Sequence, residues 1–466
     1  MVFSSILFLF YFLPIVLIAY YVLPKICRNT VFLLVSLLFY AWGEPHYIAL
    51  MLGSIVMNYA FGLLVANPQR RGRKAWLILS VVCNLALLGV FKYTNFAVDN
   101  LELVLHRTLS VPAIALPMGI SFYTFQAMSY VIDVYRQDAA PQRRIDRVAL
   151  YIAAFPQLVA GPIVRYTTVM DQIEHRAHTV DKFASGISRF LVGLSKKVLL
   201  ANALGAVADE LFKLPAAHLS TASAWIGAIC YTLQIYFDFG GYSDMAIGLG
   251  RMFGFEFLEN FNYPYICQSV KDFWRRWHMS LSTWFRDYVY IPLGGNRCAA
   301  GRQVCNLLIV WLLTGMWHGA AWTFLFWGLY YGLLLLVERR FGALMDKLPR
   351  VLRHGYAMLA VIIGWVFFRA DSLHSATSFL RAMFGFSHAG AVDATARLLL
   401  HDNMLVIALA VLASTPLMTS LYQRMRARCG GAIELPVKVI GGLGALALCV
   451  LYLANSTYNP FIYFRF

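Results

Sequence analysis

The sequence predicts an all-α integral membrane protein that crosses the bilayer many times, and three observations carry that prediction. Apolar residues fill 60% of the 466 positions, charged residues fill only 13%, and the charges cluster between long apolar runs. A soluble domain carries roughly 25% charged and 45–50% apolar residues. This chain therefore has too little polar surface to coat a globule. A soluble enzyme, a secreted disulfide scaffold and a disordered protein are excluded.

The net charge of +16 raises the question of nucleic acid. Its distribution answers it, because short basic clusters between apolar runs are what cytoplasmic loops carry. Anionic lipid headgroups are the expected neighbours, and no nucleic-acid partner is expected. Eight cysteines are scattered without a CxxC pair, so neither a metal site nor a disulfide framework is expected. They read as small apolar residues.

The elements follow in order. Met1 to Leu23 carries no charge and so lacks the basic n-region of a cleavable signal peptide. Lys25 and Arg28 come after this first run, which places residues 25–29 in the cytoplasm and the N-terminus on the periplasmic side. A run ending near Trp42, a turn at Glu44 and His46, and a run to Ala66 lead to the basic loop Arg70, Arg71, Arg73, Lys74. The run 75–91 should emerge outside, and the next returns to Arg136, Arg143, Arg144 and Arg147. Further apolar runs cover roughly 148–164, 186–206, 220–236, 240–258, 303–337, 355–368, 402–421 and 436–456. Since about 20 apolar residues span the hydrocarbon core, the count is about eleven to thirteen segments. No internal repeat, low-complexity segment or soluble domain interrupts them, and a single membrane domain over 1–466 is the expectation.

Three places break the apolar pattern, and ionisable groups at membrane depth are candidates for function. The first is Tyr236-Phe-Asp238-Phe-Gly240-Gly241-Tyr242-Ser243-Asp244. Two carboxylates around a Gly-Gly suggest a helix break beside protein or water, or else an extramembrane turn. No further ligands nearby would complete a metal site.

The second is the stretch 271–288, where Trp274, Trp277, Trp284 and Phe285 interleave with Arg275, Arg276, His278 and Arg286. If it is one helix, Trp274, His278 and Ser282 share a face. Arg275, Arg276 and Arg286 could bind a phosphate-rich ligand, or the segment could be an interfacial helix with a Trp belt.

The third lies within the 35 residues from Gln303 to Val337, which carry no formal charge and contain Thr314-Gly315-Met316-Trp317-His318-Gly319-Ala320. One continuous helix of that length would run about 52 Å against a core of ~30 Å. A helix broken near Gly315 and Gly319 is expected instead, leaving His318 at the break. A lone histidine is often structural; flanked by glycines at a break, this one reads as a general base, a role suited to neutral imidazole.

These motifs resemble the membrane-bound O-acyltransferase family. The resemblance rests on FWRRWHMSLSTWFRDYVYIPLGG (273–295) and TGMWHGAAW (314–322). It extends to FYAWGEP (39–45), FKYTNF (91–96), PMGISFYTFQAMSYVIDVYR (117–136), FPQLVAGPIVRY (155–166), YFDFGGYSDMAIGLG (236–250), FNYPY (261–265) and GWVFFRAD (364–371). Nearly the whole chain is covered in order, most closely in the manner of the bacterial branch that acetylates exopolysaccharides such as alginate and cellulose.

The resemblance implies a ring of about 11–13 transmembrane or re-entrant helices around a central funnel in the bacterial inner membrane. It makes His318 the catalytic histidine and His278 the second histidine of the site. Trp274, Arg275, Arg276, Trp277, Ser282, Arg286, Trp317, Asp238 and Asp244 are the candidate substrate-binding or cavity residues. The implied donor is a cytosolic acyl thioester, with acetyl-CoA expected and no bound cofactor or metal. The implied acceptor is a periplasmic transfer protein or an exopolysaccharide hydroxyl. D-alanyl transfer from a carrier protein, a transporter or channel, and a scaffold recruiting periplasmic partners are the competing readings.

Overall fold

The computed structural model describes residues 2–159, 161–387, 389–429, 434–456 and 458–461. Every regular element among the described residues is helical. Among the described residues, seven helices are long and apolar enough to cross a membrane: Lys25–Gly43, Ile48–Ala66, Arg73–Leu105, Val180–Lys213, Arg350–Arg369, Ala394–Ala413 and Leu435–Asn455. The chain folds as two compact units, Met1–Phe190 with Ser243–Leu258, and Leu191–Tyr242 with Glu259–Phe466.

The first unit holds α1 (Leu13–Val22), α2 (Arg28–Gly43), α3 (Ile48–Ala66), α4 (Arg73–Leu105), α5 (Ile120–Arg136), α6 (Ile145–Ala153), α7 (Phe155–Leu158) and α8 (Tyr166–Glu174). Its apolar helices are pinned by buried polar pairs. Asn58 of α3 and Asn84 of α4 exchange side-chain amide hydrogen bonds of 3.1 and 2.8 Å. Such pairs fix helix register where lipid supplies no hydrophobic drive between helices. α9 (Val180–Ser195) begins in this unit, where Arg189 meets Asp244 at 2.7 Å.

The second unit contains α10 (Asn202–Lys213), most of α11 (Thr221–Met252), α12 (Val270–Arg276), α13 (Met279–Phe285), α14 (Ala300–His318) and α15 (Trp322–Met345). It continues with α16 (Arg350–Arg369), α17 (Leu373–Met383), α18 (Ala394–Ala413), α19 (Leu417–Cys429) and α20 (Glu434–Asn455).

Two expectations need correction here. α11 runs unbroken through Gly240-Gly241, so the helix break or turn expected there does not occur. Gly241 instead permits a close helix contact, since a methyl group at that position would lie 2.7 Å from the Gly193 carbonyl oxygen. The carboxylate of Asp238 is tolerated inside a continuous helix because Lys197 meets it at 2.8 Å, both side chains being buried. The apolar run 402–421 is likewise two helices, α18 ending at Ala413 and α19 starting after Pro416. Proline removes a backbone donor and ends the run.

The uncharged run 303–337 breaks where expected, at His318 and Gly319, but its halves fold back as an antiparallel hairpin, α14 and α15. Each helix gains length by recruiting residues beyond the uncharged run. A methyl group at Gly315 would collide with the Phe324 carbonyl, and one at Gly328 with the Trp311 carbonyl. The two helices therefore touch backbone to backbone.

Candidate active site

The segment 259–295 shapes the site because it never becomes one long helix. Ser269 caps α12, its hydroxyl accepting from the Asp272 N–H at 2.9 Å. Glu338, on α15, accepts the N–H groups of Val270 (2.5 Å) and Lys271 (2.9 Å), which fastens the start of α12 to the hairpin. α12 then stops. Trp277 is extended and His278 is left-handed, at φ 44° and ψ 53°. That region is sparsely populated for a residue with a side chain, and it persists where neighbours enforce it. Here the Asn262 N–H donates to the Arg276 carbonyl (2.9 Å) and the Met279 N–H to the Asn260 carbonyl (3.0 Å).

The kink separates residues that a continuous helix would have aligned. The premise of one helical face through Trp274, His278 and Ser282 is thus wrong. The kink nonetheless brings all three to one cavity of about 220 Å³, together with Arg275, Arg286 and Thr314. This cavity shares Lys271, Tyr290, Leu307 and Leu335 with a vestibule of about 750 Å³, which Glu338, Arg339 and Arg353 also line.

His278 is 1% exposed, with Phe239 edge-on at 4.7 Å. It lies outside the seven candidate spans, and burial pushes its pKa down to about 3, so the ring is neutral. Asn260 Oδ1 lies 3.2 Å from its Nδ1 and also accepts from Ser280, from N–H at 3.2 Å and from Oγ–H at 2.9 Å.

His318 ends α14 and is 5% exposed. Its imidazole sits among aromatic rings, with centroids 5.0 Å from Trp317, 5.0 Å from Trp327 and 5.1 Å from Phe368. The Trp317 indole also lies 6.0 Å from His278, so the two histidines share one ring as neighbour. Phe368 lines a second cavity of about 220 Å³, with Asp209, Ala321, Phe324, Arg369 and Asp371. Its polar wall is a pair, Arg369 to Asp209 at 2.7 Å, with the Tyr458 hydroxyl donating to the other Asp209 oxygen at 2.7 Å. His318 thus stands between an aromatic neighbour on the His278 side and one on the Asp209 side.

The remaining predicted residues have definite places. Trp274 packs edge-on against Trp311 (4.8 Å) and Tyr331 (4.9 Å). Trp277 is buried against Phe261, Phe273 and Trp365, away from the cavity lining. Arg276 pairs with Asp272 at 2.8 Å and Arg286 with Asp287 at 2.6 Å. Asp238 lines none of these three cavities, and Asp244 belongs to the first unit. Sequence reasoning missed Asn260, Glu338, Trp327, Phe368 and the Asp209–Arg369 pair. Glu338 left a signal, being the first charge after the uncharged run. Asn260 left none.

Long apolar helices, buried polar pairs and two buried histidines that share the Trp317 ring are the features of a multi-pass membrane protein with an internal site. Residues 145–379 match the membrane-bound O-acyltransferase (MBOAT) family. The probable alginate O-acetylase AlgI of Pseudomonas aeruginosa is 49% identical over 83% of this chain and 75% of its own length. That of Pseudomonas putida is 43% identical over the full length of both. The peptidoglycan O-acetyltransferase of Helicobacter pylori is 37% identical over 83% of this chain and 80% of its own. The chain belongs to the membrane-bound O-acyltransferase family, and it is an O-acyltransferase.

Proposed function

We propose that this enzyme moves an acetyl group from cytosolic acetyl-CoA across the membrane to a periplasmic transfer protein or directly to an exopolysaccharide hydroxyl, with His318 as general base. The observation that carries the reading is that His318 packs against Trp317, the neighbour of His278, and against Phe368, which lines the Asp209–Arg369 cavity. The vestibule beyond His278 is lined by Lys271, Arg339 and Arg353 against the two carboxylates Glu338 and Asp346. Its cations belong on the cytoplasmic face of the inner membrane. They also attract the phosphates of coenzyme A. The N-terminus is then assigned to the periplasmic side by the charges at Lys25 and Arg28.

In the reaction, the acceptor oxygen attacks the thioester carbonyl carbon while His318 takes its proton. The tetrahedral intermediate collapses with cleavage of the carbon–sulfur bond, and the thiolate leaves with a proton returned from the imidazolium. The oxyanion needs preorganised donors. The indole N–H groups of Trp274 and Trp327 are buried without an acceptor among the described residues and are our candidates. The names of the relatives point to alginate as the first polysaccharide to try, with cellulose and peptidoglycan as comparisons.

The test is release of coenzyme A from radiolabelled acetyl-CoA by purified protein, with and without candidate periplasmic partners, in wild type and His318→Ala. Release with label on the partner or polysaccharide, both lost in the variant, is expected. Undiminished turnover in the variant would remove His318 as base. Turnover only with a D-alanyl carrier protein would overturn the donor.

A further inference from the structure

Asn260 carries none of the roles above, yet it is 1% exposed and its side-chain oxygen is the meeting point of three groups. We infer that Asn260 is a positioning residue that sets which nitrogen of His278 carries the proton and which way the ring faces. The inference rests on the reading of His278 as part of the acyl-transfer site.

The argument begins with a donor that has no choice. The Ser280 backbone N–H can only donate, and it points at Asn260 Oδ1 at 3.2 Å, so that atom is the amide oxygen. The Ser280 hydroxyl donates to the same oxygen at 2.9 Å. An amide oxygen cannot donate, so a hydrogen bond with His278 Nδ1, 3.2 Å away, requires the proton on Nδ1. The Ser280 hydroxyl also lies 3.5 Å from that nitrogen, but its shorter 2.9 Å contact commits its hydrogen to Asn260. In a neutral imidazole, Nε2 is then the basic nitrogen. This defines a single tautomer in a ring that would otherwise exchange between two.

The backbone supports the same arrangement. Asn260 also accepts from the Met279 N–H through its carbonyl at 3.0 Å, so one residue holds both the side chain of His278 and the chain just beyond it. His278 is in the left-handed region, which positions its ring toward the cavity shared with Trp274 and Ser282. A left-handed residue with a side chain is retained where surrounding contacts over-determine it. Asn260 supplies two of those contacts from a loop 18 residues earlier in the chain. In metal sites, partners of this kind orient a histidine and fix its tautomer, and their loss lowers activity roughly 10- to 100-fold, the order expected here.

The test compares wild type, Asn260→Ala, Asn260→Asp, His278→Ala and the Asn260→Ala/His278→Ala double variant in nanodiscs. Coenzyme A release from acetyl-CoA is measured alongside 15N NMR of histidine-labelled protein, with His278 assigned by its loss in His278→Ala. In wild type the His278 spectrum is expected to show Nδ1 protonated and Nε2 bare. In Asn260→Ala it should become a mixture of tautomers, and kcat should fall roughly 10- to 100-fold with the KM for acetyl-CoA little changed. Asn260→Asp keeps the oxygen acceptor and should recover most of the single tautomer. The double variant should be no slower than His278→Ala, because a residue acting through another adds nothing once that partner is gone.

Losses that multiply in the double variant, or a His278 spectrum unchanged in Asn260→Ala, would overturn the inference. If Asn260→Ala fails to fold, the near-isosteric Asn260→Leu removes the side-chain oxygen while filling its space and takes its place in the same cycle. The NMR arm does not depend on turnover. A tautomer that changes as expected in a protein inactive with acetyl-CoA would leave the positioning intact and retire the proposed donor instead.

Discussion

The imidazole of His318 lies 5.0 Å, centroid to centroid, from the indole of Trp327, at an interplanar angle of 82°. Trp327 is fully buried on α15, while His318 ends α14, so the geometry of the histidine is a property of the hairpin rather than of its own helix. Edge-to-face contacts of this kind hold a ring in one orientation.

Removing the imidazole should therefore remove chemistry and not the donor site. His318→Ala is expected to lower kcat by roughly 10²–10⁴-fold, the range for a positioned general base. Acetyl-CoA binding, read by equilibrium dialysis, should stay close to wild type because His318 does not line the vestibule. A matching loss of binding would mean that the histidine is part of the donor pocket.

Packing of the hairpin can be tested apart from catalysis. A Gly328→Val substitution on α15 forces a side chain against the Trp311 carbonyl. Overpacking of this kind costs typically 1–3 kcal/mol, and more where backbone must move. A lowered Tm in detergent is the expected result, whereas Gly342→Ala, at a position with open space, should leave Tm unchanged.

The carboxylate of Glu338 ties the hairpin to α12. Glu338→Ala leaves the N–H groups of Val270 and Lys271 without their acceptor. Each buried group left unsatisfied costs about 1–3 kcal/mol. Glu338 and Lys271 both line the vestibule, so the variant should also raise the KM for acetyl-CoA, with Glu338→Gln intermediate. Steady-state kinetics at several donor concentrations would separate this from a loss of kcat.

Lys197 and Asp238 make a buried pair whose halves are unequal alone. Asp238→Ala removes the counter-charge of the Lys197 ammonium, leaving it the neutral Asn202 amide oxygen and Pro460 carbonyl as partners. It should cost up to roughly 3–5 kcal/mol, while a Lys197→Met/Asp238→Leu double variant should recover most of that. Thermal unfolding of the three proteins checks the sign. Equal destabilisation by the single and the double variant would show that the pair does not act as a unit.

In the first unit, His178 makes acid stability testable. It lies in the loop before α9, and burial, then the nearby Arg28 and Arg176, push its pKa down to about 4 from the ordinary 6.5. The unfolded chain therefore binds a proton here before the folded one does. The resulting stability is full above pH 6.5 and is lost as pH falls from there toward about 4. Tm should decline over that window in wild type and less steeply in His178→Gln.

Much of this was readable in the residues alone. Composition and run length fix the solvent of a helix, so its membrane class needed no coordinates. The break at His318 was legible because 35 uncharged residues exceed one bilayer crossing, and glycines flank the histidine. The motifs around His278 and His318 pointed to the family. Other features were beyond reach because they depend on partners distant in the chain. A Gly-Gly between two carboxylates reads as a break until Lys197 and Gly193 are seen beside it, and then it is a continuous packed helix. Trp274, His278 and Ser282 meet at one cavity through a kink, not through helical periodicity. Asn260 and Glu338 carry ordinary local sequence, and only the hydrogen bonds they accept from residues 18 and 68 positions away mark them. Local sequence determined that this chain meets lipid and that the run 303–337 must break, since those follow from transfer energy and run length. Tertiary structure decided which polar groups are satisfied and by whom, because a hydrogen bond's geometry belongs to both partners at once.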